Sequence, residues 1–200
     1  APGATGKLWI GTENGINYYS YQSKQLKEFP VVADNKKVKY VHSINELNDT
    51  TLWVSTVGEG IVKVILNNTG SSPVVKSATR IVLDKGRMAS NYFFTSFQES
   101  DSILWFGNRG YGAYRLNVET GEMTPYKFDD VVKSQTANDI FAIYKNEKGY
   151  WLGTSSGLLH LNQDYSHRHD RADLFSNNTV HGILEDQQNN LWISTNQGLV

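Results

Sequence analysis

Val180-His181-Gly182-Ile183-Leu184-Glu185-Asp186-Gln187-Gln188-Asn189-Asn190-Leu191-Trp192-Ile193-Ser194-Thr195-Asn196-Gln197-Gly198-Leu199 decides how this chain is read. An apolar stretch leads into an Asn-rich turn, a tryptophan phrase follows, and a second turn closes on glycine. Short apolar runs bounded by Asn and Gly are strands joined by tight reversals. The phrase Leu191-Trp192-Ile193-Ser194-Thr195 also has four earlier copies. They are Leu8-Trp9-Ile10-Gly11-Thr12, Leu52-Trp53-Val54-Ser55-Thr56, Leu104-Trp105-Phe106-Gly107-Asn108 and Tyr150-Trp151-Leu152-Gly153-Thr154, and the five phrases together hold all five tryptophans of the chain. The steps between them are 44, 52, 46 and 41 residues. A repeat of this length, made of short strands, is the mark of a β-propeller blade.

Working outward from the phrase, each blade reads as four antiparallel strands. Strand A is the apolar stretch before the first turn, as in Val41, Ile44 and Glu46, or Ile140 and Ile143. Strand B carries the tryptophan. Strand C opens on Gly15, Gly60, Gly112, Gly157 and Gly198, which are expected at positive φ. Strand D is the variable outer strand, with candidates Leu26–Phe29, Val74–Ala78, Met123–Phe128 and Tyr165–His169. Trp9, Trp53, Trp105, Trp151 and Trp192 have the area to fill the wedge between adjacent sheets, and the Gly or Ser two residues later leaves room for a neighbour. The fold expected is all-β: a single partial propeller over 1–200 with blades at 1–30 (strands B to D), 38–80, 91–128, 138–170 and 178–200 (incomplete). That is about four and a half blades of a larger, about seven-bladed ring, with edges open to pairing.

Composition narrows the function. The 200 residues carry a formal net charge of −1, so charge offers no case for nucleic acid or an anionic membrane. No apolar run reaches the roughly 18 residues that cross a bilayer. With no cysteine, thiol catalysis, disulfides and Cys-ligated zinc are excluded. No cofactor motif is read.

The span from Val180 to Leu199 resembles the two-component regulator propeller repeat, with Asn189 where that repeat usually has Gly. The copies at Trp53 and Trp105 carry one extra residue before the glycine, in Val57-Gly58-Glu59-Gly60 and Arg109-Gly110-Tyr111-Gly112. The resemblance covers essentially the whole chain. It implies the extracytoplasmic sensor region of a membrane-bound hybrid histidine kinase of Bacteroides type. Such a region is periplasmic, belongs to an inner-membrane protein, does not itself touch the membrane, and detects oligosaccharides. The partners it implies are an oligosaccharide ligand, further propeller blades, or a second copy of the chain. The competing readings are a non-catalytic interaction or dimerisation scaffold, and a propeller lyase or glycosidase.

Three clusters invite a chemical reading. Gly153-Thr154-Ser155-Ser156-Gly157 has the spacing of a nucleophile elbow, but its copies Gly11–Gly15 and Ser194–Gly198 make it a strand-to-strand turn, where an elbow needs strand to helix. His167 and His169, with Asp170, place two imidazoles at the spacing of one strand face, as a metal pair requires; a solvated charged edge is the reading preferred. Glu46, Glu185 and Asp186 end strand A beside the A–B turn and are read as turn caps. No catalytic residue and no metal site is expected. Recognition is expected instead in the loops that vary between copies, the B–C and D–A connections at one end of the blades. Arg109 and Tyr111 lead this set, since forked donors and aromatic faces suit sugars. Asn14, Glu59, Ser155 and Asn196 occupy the other B–C turns beside Glu13, Ser156 and Gln197. Asn91 and Asn138 stand at the approaches to strand A, with Arg87 and Asn178.

Overall fold

The computed structural model describes residues 6–67, 72–83, 90–128, 138–166 and 178–200. Arg87 and the His167–Arg171 cluster lie outside them. The chain divides into two compact units, Ala1–Phe93 and Phe94–Val200.

In the first unit β1 (Lys7–Thr12), β2 (Gly15–Ser20) and β3 (Gln25–Phe29) form a three-stranded sheet, and β4 (Val32–Ala33) and β5 (Lys36–Lys37) form a small hairpin. That hairpin was not foreseen; Asp34 and Asn35 turn it at φ 53° and 60°, the left-handed geometry that Asn and Asp tolerate. β6 (Val41–Asn48), β7 (Thr51–Thr56), β8 (Ile61–Asn67) and β9 (Val74–Ile81) follow as a four-stranded antiparallel sheet in sequence order. Ile16, Tyr18, Phe29, Val38 and Val41 pack with Leu52, Val54, Val62 and Val64 into one core, against which Trp9 lies.

In the second unit β10 (Phe93–Gln98, from its second residue), β11 (Ile103–Asn108), β12 (Ala113–Asn117) and β13 (Met123–Tyr126) again make a four-stranded meander. β14 (Ile140–Asn146), β15 (Gly149–Thr154) and β16 (Gly157–Leu161) form one three-stranded sheet, and β17 (Val180–Glu185), β18 (Leu191–Thr195) and β19 (Gly198–Leu199) form another. The expected outer strand Tyr165–His169 is not seen in its described part. Residues 162–166 turn instead, with Tyr165 at φ 67° and the Asn162 amide donating to the Ser166 carbonyl at 2.8 Å. The freed Tyr165 ring packs at 5.4 Å from both Trp105 and Tyr150.

The tryptophan phrase does what its chemistry demands. Trp105 packs with Ile140, Tyr150 and Leu152 of the next sheet, and Trp151 with Val180 and Ile193 of the sheet after that. Trp53, Trp105 and Trp151 are buried. Trp192 departs from the expectation: it is 45% exposed, on a face of β17–β19 that also shows Leu184 and Leu199. The small residue two positions on is a steric necessity. A Cβ at Gly153 would stand 2.7 Å from Val180 Cγ1, and one at Gly11 2.6 Å from Val41 Cγ1. The glycines that open strand C all have positive φ.

Candidate functional site

Antiparallel order puts the B–C and D–A connections at the same end of each sheet, and hydrogen bonds knit them together there. The B–C turn is closed by the last residue of the tryptophan phrase. The hydroxyls of Thr12, Thr56, Thr154 and Thr195 donate to the carbonyls of Gly15, Gly60, Gly157 and Gly198 at 2.7–3.0 Å. That role was not read from the sequence, although the recurrent Thr signalled it.

In the first unit Glu13 and Asn14 are exposed on the β1–β2 turn. The Glu13 carbonyl accepts the Tyr40 amide at 3.0 Å, and Asn14 lines a small cavity of about 60 Å³ with Lys37 and Glu28. Glu59 is bound on both oxygens, to Lys36 of the unforeseen hairpin at 2.7 Å and to Arg80 of β9 at 3.0 Å. Burial opposes ionisation of Glu59, but the two cations outweigh it and hold its pKa below the usual carboxylate value. Asn91 is buried. Its side chain accepts the Leu83 amide at 2.7 Å and donates to the Leu83 carbonyl at 3.2 Å, while its own carbonyl accepts the amides of Gly58 and Gly60.

The second unit repeats the device with Asn138, whose side chain accepts the Phe128 amide at 2.9 Å while its carbonyl accepts the Gly112 amide at 2.9 Å. Asn91 and Asn138 therefore clip the D–A connection to the B–C turn of the preceding blade. Gly112, Asn138, Asp139 and Ser155 form a continuous strip, because the Ser155 hydroxyl donates to Asp139 at 2.9 Å. Tyr111, next to Gly112, is half-buried with the Lys127 ammonium 5.4 Å from its ring centroid, and Arg109 is exposed on the same turn. Asn196 is exposed, its amide donating to the Thr179 carbonyl at 3.2 Å; Asn178 beside Thr179 is half-buried. Tyr111, Asn138 and Ser155 are thus brought together, and Asn196 closes the same kind of turn one blade on. Ser155 stands between β15 and β16, a strand-to-strand turn as expected.

The opposite ends are held by a second recurrent bond. Asp186 accepts the Trp192 indole N–H at 2.8 Å, Glu99 accepts that of Trp105 at 2.7 Å, and Asn146 that of Trp151 at 3.3 Å. Asp186 also caps its turn, accepting the amides of Gln188 and Asn190 at 2.9 Å. The Asn190 amide and the Trp192 indole lower its pKa to about 2. Glu185 reaches across to the Asn146 amide group at 2.7 Å. Glu99 also pairs with Lys145 at 3.2 Å. Burial and the Glu99 carboxylate push the nearby Tyr150 phenol far up. These carboxylates are architecture. Among the described residues no cluster of three His, Asp or Glu is arranged to hold a metal ion.

Blades of this kind define a β-propeller, and the chain is 96% covered by a likeness to the β-propeller domain of Cps50 (Swd1) from Myceliophteria thermophila, with TM-score 0.62 at 9% identity over 60% of that chain. The profile described as "Two component regulator propeller" matches residues 174–197. That match covers one repeat of the chain, the copy that carries Trp192. It is 27% identical over 208 residues to "Histidine kinase P4" of Formosa agariphila, covering 96% of this chain and 14% of that protein. It is similar, with TM-score 0.71 and 22% identity, to the extracellular domain of a proposed hybrid two-component system of B. thetaiotaomicron, across 98% of this chain and 25% of that one. The chain thus spans a small part of the length of these relatives. The likeness to these solved structures is one of fold.

Proposed function

We propose that this chain is a non-catalytic, ligand-sensing propeller segment on the periplasmic side of a membrane-anchored hybrid histidine kinase, and that its ligand is an oligosaccharide. The observation that carries this reading is the strip from Tyr111 through Asn138 to Ser155. Architecture is the same from copy to copy, while the exposed polar groups on this end differ, as recognition requires. Ligand would favour one arrangement of the sensor over another, and that differential affinity is the signal. Titration calorimetry with neutral and acidic oligosaccharides tests it. Saturable binding to one glycan class that is weakened by Arg109→Ala with Tyr111→Ala is the expected result. Binding to none of them, by folded protein, would overturn it.

A second reading, an interaction surface, has its own observation. Trp192, Leu184 and Leu199 stand open where the equivalent Trp151 is covered by Val180 and Ile193. That face fits a further blade of the same repeat, from a neighbouring segment of the receptor.

A further inference from the structure

The residue just before strand A differs from copy to copy: Tyr40, Tyr92, Asp139 and Thr179. The residue after it is always apolar and buried: Val41, Phe93, Ile140 and Val180. In the first unit this position is a tyrosine twice, and both are open to solvent, Tyr40 at 50% and Tyr92 at 40% exposure. Their backbones flank one B–C turn. The Tyr40 carbonyl accepts the Val57 amide at 3.0 Å, and Tyr92 forms an antiparallel bridge with Val57. Tyr40 is also tied to the B–C turn of the preceding blade, its amide donating to the Glu13 carbonyl at 3.0 Å. A Cβ at Gly58 would stand 3.6 Å from Tyr92 Cζ, so the Tyr92 ring lies beside the turn.

The backbone of Tyr40 is left-handed, with φ 51°. Glycine or asparagine hosts that geometry at least cost, and a bulky side chain is out of place there unless something else selects it. The other tyrosine at positive φ, Tyr165, owes its place to packing against Trp105 and Tyr150. Core packing does not account for Tyr40, which is half exposed and has no other ring against it among the described residues. What the ring can do there is meet a ligand. An exposed tyrosine offers a flat apolar face with a phenol at its rim, and the backbone bonds that hold this one leave it little freedom to lose on binding. A pyranose fits such a face, its axial C–H bonds meeting the negative face of the aromatic ring. The turn at Glu13 and Asn14, bonded to Tyr40, carries an exposed carboxylate and an exposed amide suited to sugar hydroxyls.

We infer that Tyr40 and Tyr92 are stacking residues for pyranose rings of an oligosaccharide, with the turn at Glu13 and Asn14 addressing hydroxyls beside Tyr40. This rests on the glycan reading above and adds to it a second contact, in the first unit. The test is titration calorimetry of wild type, Tyr40→Phe, Tyr40→Asn and Tyr92→Ala with cellohexaose, chitohexaose, xylohexaose and a chondroitin hexasaccharide, together with urea unfolding of each protein. Asparagine keeps the left-handed backbone and removes the ring. The expected result is that a glycan bound by wild type keeps its affinity in Tyr40→Phe and loses about tenfold or more in Tyr40→Asn and Tyr92→Ala, while Tyr40→Asn unfolds at the same or a higher urea concentration. Tyr92→Ala carries the test should Tyr40→Asn fail to fold. Unchanged affinity in the ring-less variants, with Arg109→Ala plus Tyr111→Ala still weakened, overturns the tyrosine contact and leaves the glycan reading standing. Binding of no oligosaccharide to folded wild type overturns both.

Discussion

A single methyl group separates tolerance from damage in the B–C turns. Gly110 and Gly112 both have φ near 78°, but a Cβ on Gly110 meets nothing within 4 Å, while one on Gly112 would run into the Tyr126 carbonyl. Gly110→Ala should therefore cost only the left-handed conformation, about 1 kcal/mol. Gly112→Ala adds a backbone collision and should cost about 2–4 kcal/mol. Urea unfolding of the two variants checks the difference, and equal losses would show that the turn can shift aside. At this scale the sequence was informative about glycine, because positive φ has few other hosts. It marked Thr154 and its copies only by their recurrence, since a hydroxyl bonded to a carbonyl otherwise looks like any other polar strand end. Asn91 and Asn138 were legible as polar and loop-borne, which suggests a ligand contact. The structure finds both side chains engaged by backbone, as an amide offering a donor and an acceptor readily is.

Elements are tied to one another by charge as well as by area. Glu99 is partly buried against Trp105 and Lys145, and despite the cost of burial these partners lower its pKa from the usual 4.5. A carboxylate whose folded pKa is depressed adds stability that is fully present above its unfolded pKa. That stability is lost as pH falls from about 4.5 through the lower folded value. Thermal unfolding between pH 7 and pH 3 should show such an acid limb, and Glu99→Gln should flatten it. An identical limb in the variant would place the acid sensitivity elsewhere, with Glu59 the next carboxylate to test. The acid-to-indole bond was only half legible: spacing marked Asp186 as a turn residue, and the structure adds that it also receives the tryptophan. The hairpin β4–β5 was unreadable, since two-residue strands carry no periodicity, yet it delivers Lys36 to Glu59.

Over the molecule as a whole, tryptophan burial follows the stacking of sheets. Trp105 is 1% exposed and Trp192 45% exposed, although the two phrases are nearly the same. Trp105→Ala should cost about 3–5 kcal/mol, and Trp192→Ala less than about 1 kcal/mol, by chemical denaturation. Comparable losses would mean that the β17–β19 face is covered in solution. The repeat made the propeller legible from spacing alone. The covering of each face was not, because a phrase does not say whether another sheet lies on it. Nor does a phrase show that the pairing of strand A with strand B passes over His42, Phe141 and His181, the second residues of β6, β14 and β17. That skip has an evolutionary consequence. A residue held outside the ladder can be exchanged without shifting the register of its neighbours, so Phe141 and His181 are positions where descendants of one blade can diverge while inheriting an unchanged frame. Exchanging them should leave the register of β14 and β17 unchanged, which hydrogen exchange of the ladder amides would show.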